Sequence, residues 1–150
     1  MGTQITLLAK NLDCNHLTFL GDTDTAWLKR LNTHKNFHEA LQYFVDNKIG
    51  KRFNGALQVD SADLPVFIKR LAWLIRTNGV LTDVYFTDPG KNITANICQY
   101  GNLHISATAK TADKLLKGII KQSQFEYLTS GNCYNRYAKR AAIKGRTIKV

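Results

Sequence analysis

The pattern over residues 62–108 constrains the fold most, because one long amphipathic helix is followed by three short strands. Apolar side chains recur at helical spacing on one face of the predicted helix 62–77: Leu64, Phe67, Ile68, Leu71, Leu74 and Ile75. Ser61 is the predicted N-cap, Pro65 falls in the first turn, where its missing N–H costs little, and Asn78-Gly79 ends the helix. Such a helix requires an apolar surface to pack against.

Three strands are predicted after this helix, over about 80–87, 92–100 and 103–108. Asp88-Pro89-Gly90 turns the first strand into the second, and Gly101-Asn102 predicts a two-residue hairpin between the second and third. Apolar and polar residues alternate along the strands, so one face is expected to be buried and the other polar. The sequence therefore predicts an α+β fold in which helices pack on a three-stranded antiparallel meander (about 80–108).

The first sixty residues carry weaker signals. Alternation favours a strand over residues 3–9, and further short strands are predicted over 17–20 and 55–60. Helices are predicted over about 24–33 and 37–47. No linker, internal repeat or low-complexity tract interrupts the sequence, so residues 1–150 are interpreted as a single compact domain.

Two further helices are predicted after the meander. Thr111 is expected to cap one over about 112–123, and Asn132 to cap a basic C-terminal helix over about 133–144. In the first of these, apolar residues occupy one side: Ala112, Leu115, Leu116, Ile119 and Ile120. Lysines occupy the opposite side at spacings of three and four, with one more at the N-terminal end: Lys114, Lys117, Lys121 and Lys110.

Positive charge is concentrated in the second half of the chain. The net charge is +10, and residues 1–75 hold 9 basic and 7 acidic residues, whereas residues 76–150 hold 12 and 4. Residues 127–150 contain six Lys or Arg and no Asp or Glu. Such an asymmetry indicates a polyanionic partner, and nucleic acid is the leading class. The basic surface is expected to lie within residues 110–150.

Tyrosines are interleaved with the cations of the predicted helix 133–144. Arginine can bind phosphate through two hydrogen bonds, and an aromatic ring can stack on a base. The predicted nucleic-acid-binding residues are Lys110, Lys114, Lys117, Lys121, Tyr134, Arg136, Tyr137, Lys139, Arg140, Lys144, Arg146 and Lys149. The same residues also admit a structural interpretation, with solvated lysines and packed tyrosines. On helix 62–77, Lys69, Arg70 and Arg76 surround Trp73, which is expected to be packed.

The order helix, three antiparallel strands, helix over residues 62–123 resembles that of double-stranded-RNA-binding domains. In that family the basic N-terminus of the second helix contacts phosphates, so the resemblance implies this role for Lys110, Lys114 and Lys117. The family's Gly-Pro-x-His loop is absent, and DPGKN stands at the corresponding turn. Its adjacent lysine pair is absent too. Three-stranded sheets followed by a helix also occur in DNA-binding arms, so both RNA and DNA remain open.

No catalytic motif identifies a reaction, so no catalytic residue is predicted and a binding protein is favoured over an enzyme. The alternative is a small metal-independent nuclease centred on His104, with Lys110 or Arg136 as the cation. Its other candidate groups lie on the predicted polar sheet face: Tyr85, Asn96, Cys98 and Ser106. Potential zinc donors occur at Cys14, His16, His34 and His38 without a C-x₂-C pair, so neither a metal nor a cofactor is predicted.

The three widely spaced cysteines, Cys14, Cys98 and Cys133, favour a reducing, cytoplasmic environment. The sequence has no secretory signal and no span long enough for a bilayer, so no membrane partner is expected. The leading hypothesis is an accessory protein that binds nucleic acid (RNA or DNA) or a nucleoprotein. A second alternative is a protein-interaction module or inhibitor that docks on an acidic partner, of a kind that would suit a phage or mobile element.

Overall fold

A computed structural model of the protein describes residues 1–21, 24–28, 35–77, 83–127 and 133. The helices of this part are α1 (Gly2–Asn11), α2 (Lys35–Asp46), α3 (Leu64–Thr77) and α4 (Lys110–Gln122). The strands are β1 (His16–Leu20), β2 (Leu57–Asp60), β3 (Asp83–Thr87), β4 (Ile93–Cys98) and β5 (Leu103–Ala107). The predicted α+β class is confirmed.

The strands form one antiparallel sheet in the order β2-β1-β3-β4-β5. The predicted meander is confirmed as β3-β4-β5, but the sheet is larger than predicted because β1 and β2 extend it beyond β3. One row of polar residues runs across all five strands in register: Gln58, Thr18, Thr87, Thr94 and Ser106. We call the face that carries this row the open face, since Thr94 and Ser106 are exposed there.

The opposite face of the sheet is buried beneath the helices. Its side chains alternate with those of the open face and include Leu17, Phe19, Val84, Phe86, Ile93, Ala95 and Ile97. Phe67 of α3 packs on this face, with its ring centroid 4.7 Å from that of Phe19. On its other side Phe67 meets Phe44 of α2 at 5.6 Å. Phe67 therefore links the sheet to α2 through α3.

The strand predicted over residues 3–9 is wrong, because this segment belongs to α1. Ile5, Leu8 and Ala9 are fully or almost fully buried, and their spacing of three and four residues is that of a helix. Helix α1 packs against α3. A seven-residue window contains too few apolar positions to distinguish the spacing of a helix from the alternation of a strand. The contact with α3 favours the helix.

The helix predicted over 24–33 is wrong where the structure describes it. Residues 24–28 form turns and bends, and residues 29–33 lie outside the described part. Trp27 is fully buried, and its backbone N–H donates to the carbonyl of Phe53. The indole Nε1 donates to the carbonyl of Gly55 at 3.0 Å. These long-range bonds hold Trp27 within a segment of turns and bends. The predicted helix 37–47 is confirmed as α2.

The predicted helix caps are also corrected. Helix α3 begins at Leu64, and the hydroxyl of Ser61 donates instead to the carbonyl of Cys14 at 3.0 Å. Ser61 therefore joins the end of β2 to the turn after α1. Helix α4 begins at Lys110 with Ala109 as its N-cap, so Thr111 lies inside the helix.

The hairpin between β4 and β5 has four connecting residues, not the predicted two. The N–H of Gly101 donates to the carbonyl of Cys98 at 2.9 Å, and the N–H of Cys98 donates to the carbonyl of Asn102 at 3.1 Å. Gly101 has a φ of 78°, in the region that a glycine adopts without strain. Its predicted place in the turn is correct, whereas the loop is longer. The predicted helix 133–144 lies outside the described residues except for Cys133.

The contact between α1 and α3 gives a stability test with a matched control. A Cβ added at Gly2 would lie 2.8 Å from the carbonyl oxygen of Pro65, which is backbone and cannot rotate away. A Cβ at Gly118, in the middle of α4, meets nothing within 4 Å. We expect Gly2→Ala to lower the free energy of unfolding by about 1–3 kcal/mol through overpacking. Gly118→Ala should raise it by about 1 kcal/mol through helix propensity.

Chemical denaturation of the two variants and the wild type measures both effects. A Gly2→Ala protein at least as stable as the wild type would contradict the close approach of α1 to Pro65.

Candidate functional site

Four lysines occupy the solvent side of α4: Lys110, Lys114, Lys117 and Lys121. All four are exposed, and at 3.6 residues per turn they fall within an arc of roughly 60°. The opposite side of the helix is anchored on the core by Ala112, Leu116 and Ile119, and α4 packs against β5. The helix therefore presents the four side chains together, and we call them the lysine face. Leu115, predicted to be apolar core, is instead 46% exposed at the border of the two sides.

One lysine of the face is partly neutralised within the helix. Nζ of Lys117 lies 2.7 Å from Oδ2 of Asp113, four residues earlier. This hydrogen-bonded carboxylate raises the pKa of Lys117 above its usual value, because it stabilises the protonated amine. Both side chains are well exposed, so the pair contributes little to folding. Its main effect is on local charge: Asp113 offsets one of the four positive charges.

The other three lysines of the face are not paired with a carboxylate in the described ranges. The second ion pair found there joins Arg70 to Glu39, away from α4. Lys110, Lys114 and Lys121 therefore carry uncompensated charge at the surface. This arrangement disfavours folding slightly through repulsion and favours binding of an anion.

An exposed aromatic residue lies near this charge. Tyr127 is 64% exposed, and its phenol lies close enough to Lys117 to contribute a minor electrostatic increase in the pKa of that lysine. A solvent-facing ring in this part of the surface can stack on a base. Sequence spacing alone did not select Tyr127, since it lies ten residues beyond Lys117 and approaches it only through the turn after α4.

The basic surface considered on α3 is partly used for packing. Trp73 is partly buried against the core, as expected, and the guanidinium of Arg76 lies over its ring at 5.9 Å from the centroid. Nη1 of Arg70 donates to Oε2 of Glu39 on α2 at 2.7 Å. This bond holds the pKa of Glu39 below its usual value. The Arg70–Glu39 bond joins α3 to α2, and Arg76 contacts Trp73 within α3, whereas Lys69 is exposed.

The remaining predicted contact residues lie outside the part of the chain that the structure describes. They are Tyr134, Arg136, Tyr137, Lys139, Arg140, Lys144, Arg146 and Lys149. Their expected contribution to a basic surface stays a prediction from sequence. The described portion of the candidate site is therefore the lysine face together with Tyr127.

The open face of the sheet carries a second cluster of polar groups. Tyr85, Asn96 and His104 lie opposite one another on β3, β4 and β5, as alternation along the strands predicted. Nε2 of His104 lies 3.0 Å from Sγ of Cys133, and Cys98 completes a group whose donor atoms all lie within 4.8 Å of one another. Cys133 was not predicted as a neighbour of His104, because nothing local in the sequence links two residues 29 positions apart.

One of the zinc donors considered near the N-terminus, Cys14, forms a hydrogen bond within the fold. The thiol of Cys14 donates to the carbonyl of Ala9 at 3.2 Å and helps to end α1. Burial raises the pKa of this thiol, with a smaller electrostatic contribution from Asp88. His34 lies outside the described residues. Among the residues that are described, the group with metal-binding geometry is instead Cys98, His104 and Cys133.

No protein-family model, curated protein or solved structure matches this chain. The resemblance in element order to double-stranded-RNA-binding domains therefore gains no support from a match. Each helix that the structure describes is too short or too polar to cross a membrane. Any functional inference rests on the chemistry of the residues above.

Proposed function

We propose that this protein binds nucleic acid by contacting phosphates with the lysine face of α4. One observation carries the proposal: Lys110, Lys114 and Lys121 project together from a rigid helix, and no described carboxylate pairs with them. The chain's net charge of +10 acts in the same direction over a longer range. Nucleic acid is the polyanion that such a row of exposed cations fits best.

The geometry suits a backbone contact that is insensitive to base sequence. The lysines extend from Lys110 to Lys121, a rise of about 16 Å along the helix axis of α4. Each ammonium group is a mobile point charge that can follow a phosphate without fixing its orientation. Lysine contacts of this kind position a protein on the backbone, whereas sequence is recognised by contacts to base edges. We therefore infer that this face alone binds both RNA and DNA, with little preference for base sequence.

Two further features would strengthen the contact. Tyr127 can stack on an unpaired base beside the phosphates that the lysines bind. The six basic residues at the C-terminal end of the sequence add charge without any acidic residue among them. Release of counterions from the nucleic acid then supplies most of the binding free energy, so affinity falls as salt rises.

Charge neutralisation of the lysine face tests the proposal. We expect the triple variant Lys110→Gln/Lys114→Gln/Lys121→Gln to bind short RNA and DNA, duplex and single-stranded, more weakly than the wild type at low salt. The slope of log K against log salt should decrease in magnitude by about 3, since three phosphate contacts are lost. Fluorescence anisotropy over a salt series measures both quantities.

The control variant Lys35→Gln/Lys48→Gln/Lys51→Gln removes the same amount of charge from exposed lysines. These lysines lie in α2 and in the segment just after it. It should retain most of the affinity and nearly the full salt slope. Equal losses in the two triple variants would show that net charge, not the lysine face, determines binding. If wild type binds no oligonucleotide at low salt, the proposal is wrong. A protein partner retained after nuclease treatment would then favour the interaction-module alternative.

Removal of the internal carboxylate should have the opposite effect. Asp113→Asn releases Lys117 from its ion pair and removes a negative charge next to the bound phosphates. We expect tighter binding and a salt slope greater in magnitude by about 1. The matched control is Asp46→Asn, which removes an exposed carboxylate that accepts a hydrogen bond from Gln42 on α2. An equal gain from both substitutions would contradict a specific role for the α4 surface.

A further inference from the structure

The hairpin of β4 and β5 places a thiol and an imidazole side by side. His104 lies directly opposite Asn96, and Cys98 lies two residues beyond Asn96 on the same strand. Side chains two residues apart share a face of a strand, so Cys98 lies on the same face of the sheet as Asn96 and His104. Cys98 and His104 are therefore diagonal neighbours across the β4–β5 pair. The four-residue turn that contains Gly101 maintains this pairing.

Cys133 brings a second thiol to this pair from a distant part of the chain. Its Sγ lies 3.0 Å from Nε2 of His104, and the donor atoms of Cys98, His104 and Cys133 all lie within 4.8 Å of one another. A tetrahedral zinc ion, with Zn–S of about 2.3 Å and Zn–N of about 2.0 Å, separates its donor atoms by about 3.5–3.8 Å. Small side-chain rotations would therefore bring all three donors to bonding distance of one ion.

We propose that Cys98, His104 and Cys133 bind a zinc ion. Two sulfur donors and one imidazole nitrogen form a set that zinc prefers, whereas magnesium and calcium require oxygen donors. Cys98 and Cys133 are not joined in a disulfide, so both sulfur atoms are chemically able to bind a metal. The site involves none of the lysines of α4, so it goes beyond the proposed nucleic-acid contact and can be tested separately.

The burial of the donors indicates how such a site would be built. Cys98 is 8% exposed, Cys133 is half-buried and His104 is exposed, so the ion would lie at the protein surface with its inner side shielded. His104 and Cys133 also line a cavity of about 530 Å³ at the β5 edge of the sheet. The described residues supply three donors, and water or a ligand from the cavity side would complete four-coordination.

Zinc at this position has consequences for both stability and chemistry. It would tie Cys133 to the β4–β5 hairpin and close a loop of about 35 residues, which restricts the unfolded chain and stabilises the folded one. A metal-bound His104 cannot serve as the general base of a nuclease, because its nitrogen lone pair is used in the metal bond. Zinc binding at His104 would therefore argue against the nuclease alternative.

Metal binding by the full-length reduced protein tests the proposal. Metal-free protein would be prepared with a chelator and a reductant, freed of both under anaerobic conditions, and titrated with zinc and with cobalt(II). We expect about one ion per chain, a rise in Tm on zinc addition, and thiolate-to-cobalt charge-transfer absorption in the cobalt form. His104→Ala and Cys133→Ser should each weaken zinc binding by more than about ten-fold and diminish or shift the cobalt absorption.

The matched control is Cys14→Ser, which removes a thiol that bonds to the carbonyl of Ala9, outside the site. It should keep the wild-type metal stoichiometry and cobalt spectrum. Since His104 is exposed and Cys133 half-buried, loss of binding in their variants can be separated from unfolding by circular dichroism. Failure of the reduced wild type to take up zinc would overturn the proposal. Unchanged zinc binding in Cys133→Ser would also overturn it. So would the finding that Cys98 and Cys133 form a disulfide and bind no zinc when reduced.

Discussion

The packing of Phe67 between Phe19 and Phe44 is the interaction on which the rest of the structure depends. It joins α3 to the sheet on one side and to α2 on the other. Burial of one aromatic side chain of this kind is worth about 2–3 kcal/mol, and each ring pair adds up to about 1 kcal/mol. Because α3 also carries α1, most of the helical layer is positioned through this one helix. The described helices thus cover one face of the sheet, and among them none covers the open face or the outer side of α4.

The most regular patterns in the sequence predicted the corresponding elements correctly. The six apolar residues of α3 repeat over a window long enough to specify a helix, and the turn residues Pro89 and Gly101 separate the strands of the meander. Errors occurred where distant contacts decide the structure. The pattern of residues 3–9 fits a helix or a strand until the contact with α3 is known. Trp27 is held by hydrogen bonds that it donates to the carbonyls of Phe53 and Gly55. The partners of β1 and β2 are likewise set by long-range pairing.

The two candidate sites also differ in how far a local sequence pattern predicts them. The lysine face follows from spacing within one helix, so its residues could be named before the fold was known. Its internal ion pair was less apparent, because Asp113 first suggests a favourable charge at a helix N-terminus. The Cys98–His104–Cys133 group depends on strand register and on a contact across 29 residues, neither of which a local pattern records. Its one local signal is a cysteine and a histidine flanking a tight hairpin.

Binding through the lysine face is tested most directly by locating the bound oligonucleotide on the protein. Two-dimensional NMR of ¹⁵N-labelled protein, titrated with a short unlabelled oligonucleotide, reports each backbone amide separately. We expect the largest signal changes to fall within α4, from Lys110 to Lys121, and at Tyr127. Changes concentrated on α2 or at Tyr85 and Asn96 of the open face, with the α4 signals unaffected, would contradict binding through this helix.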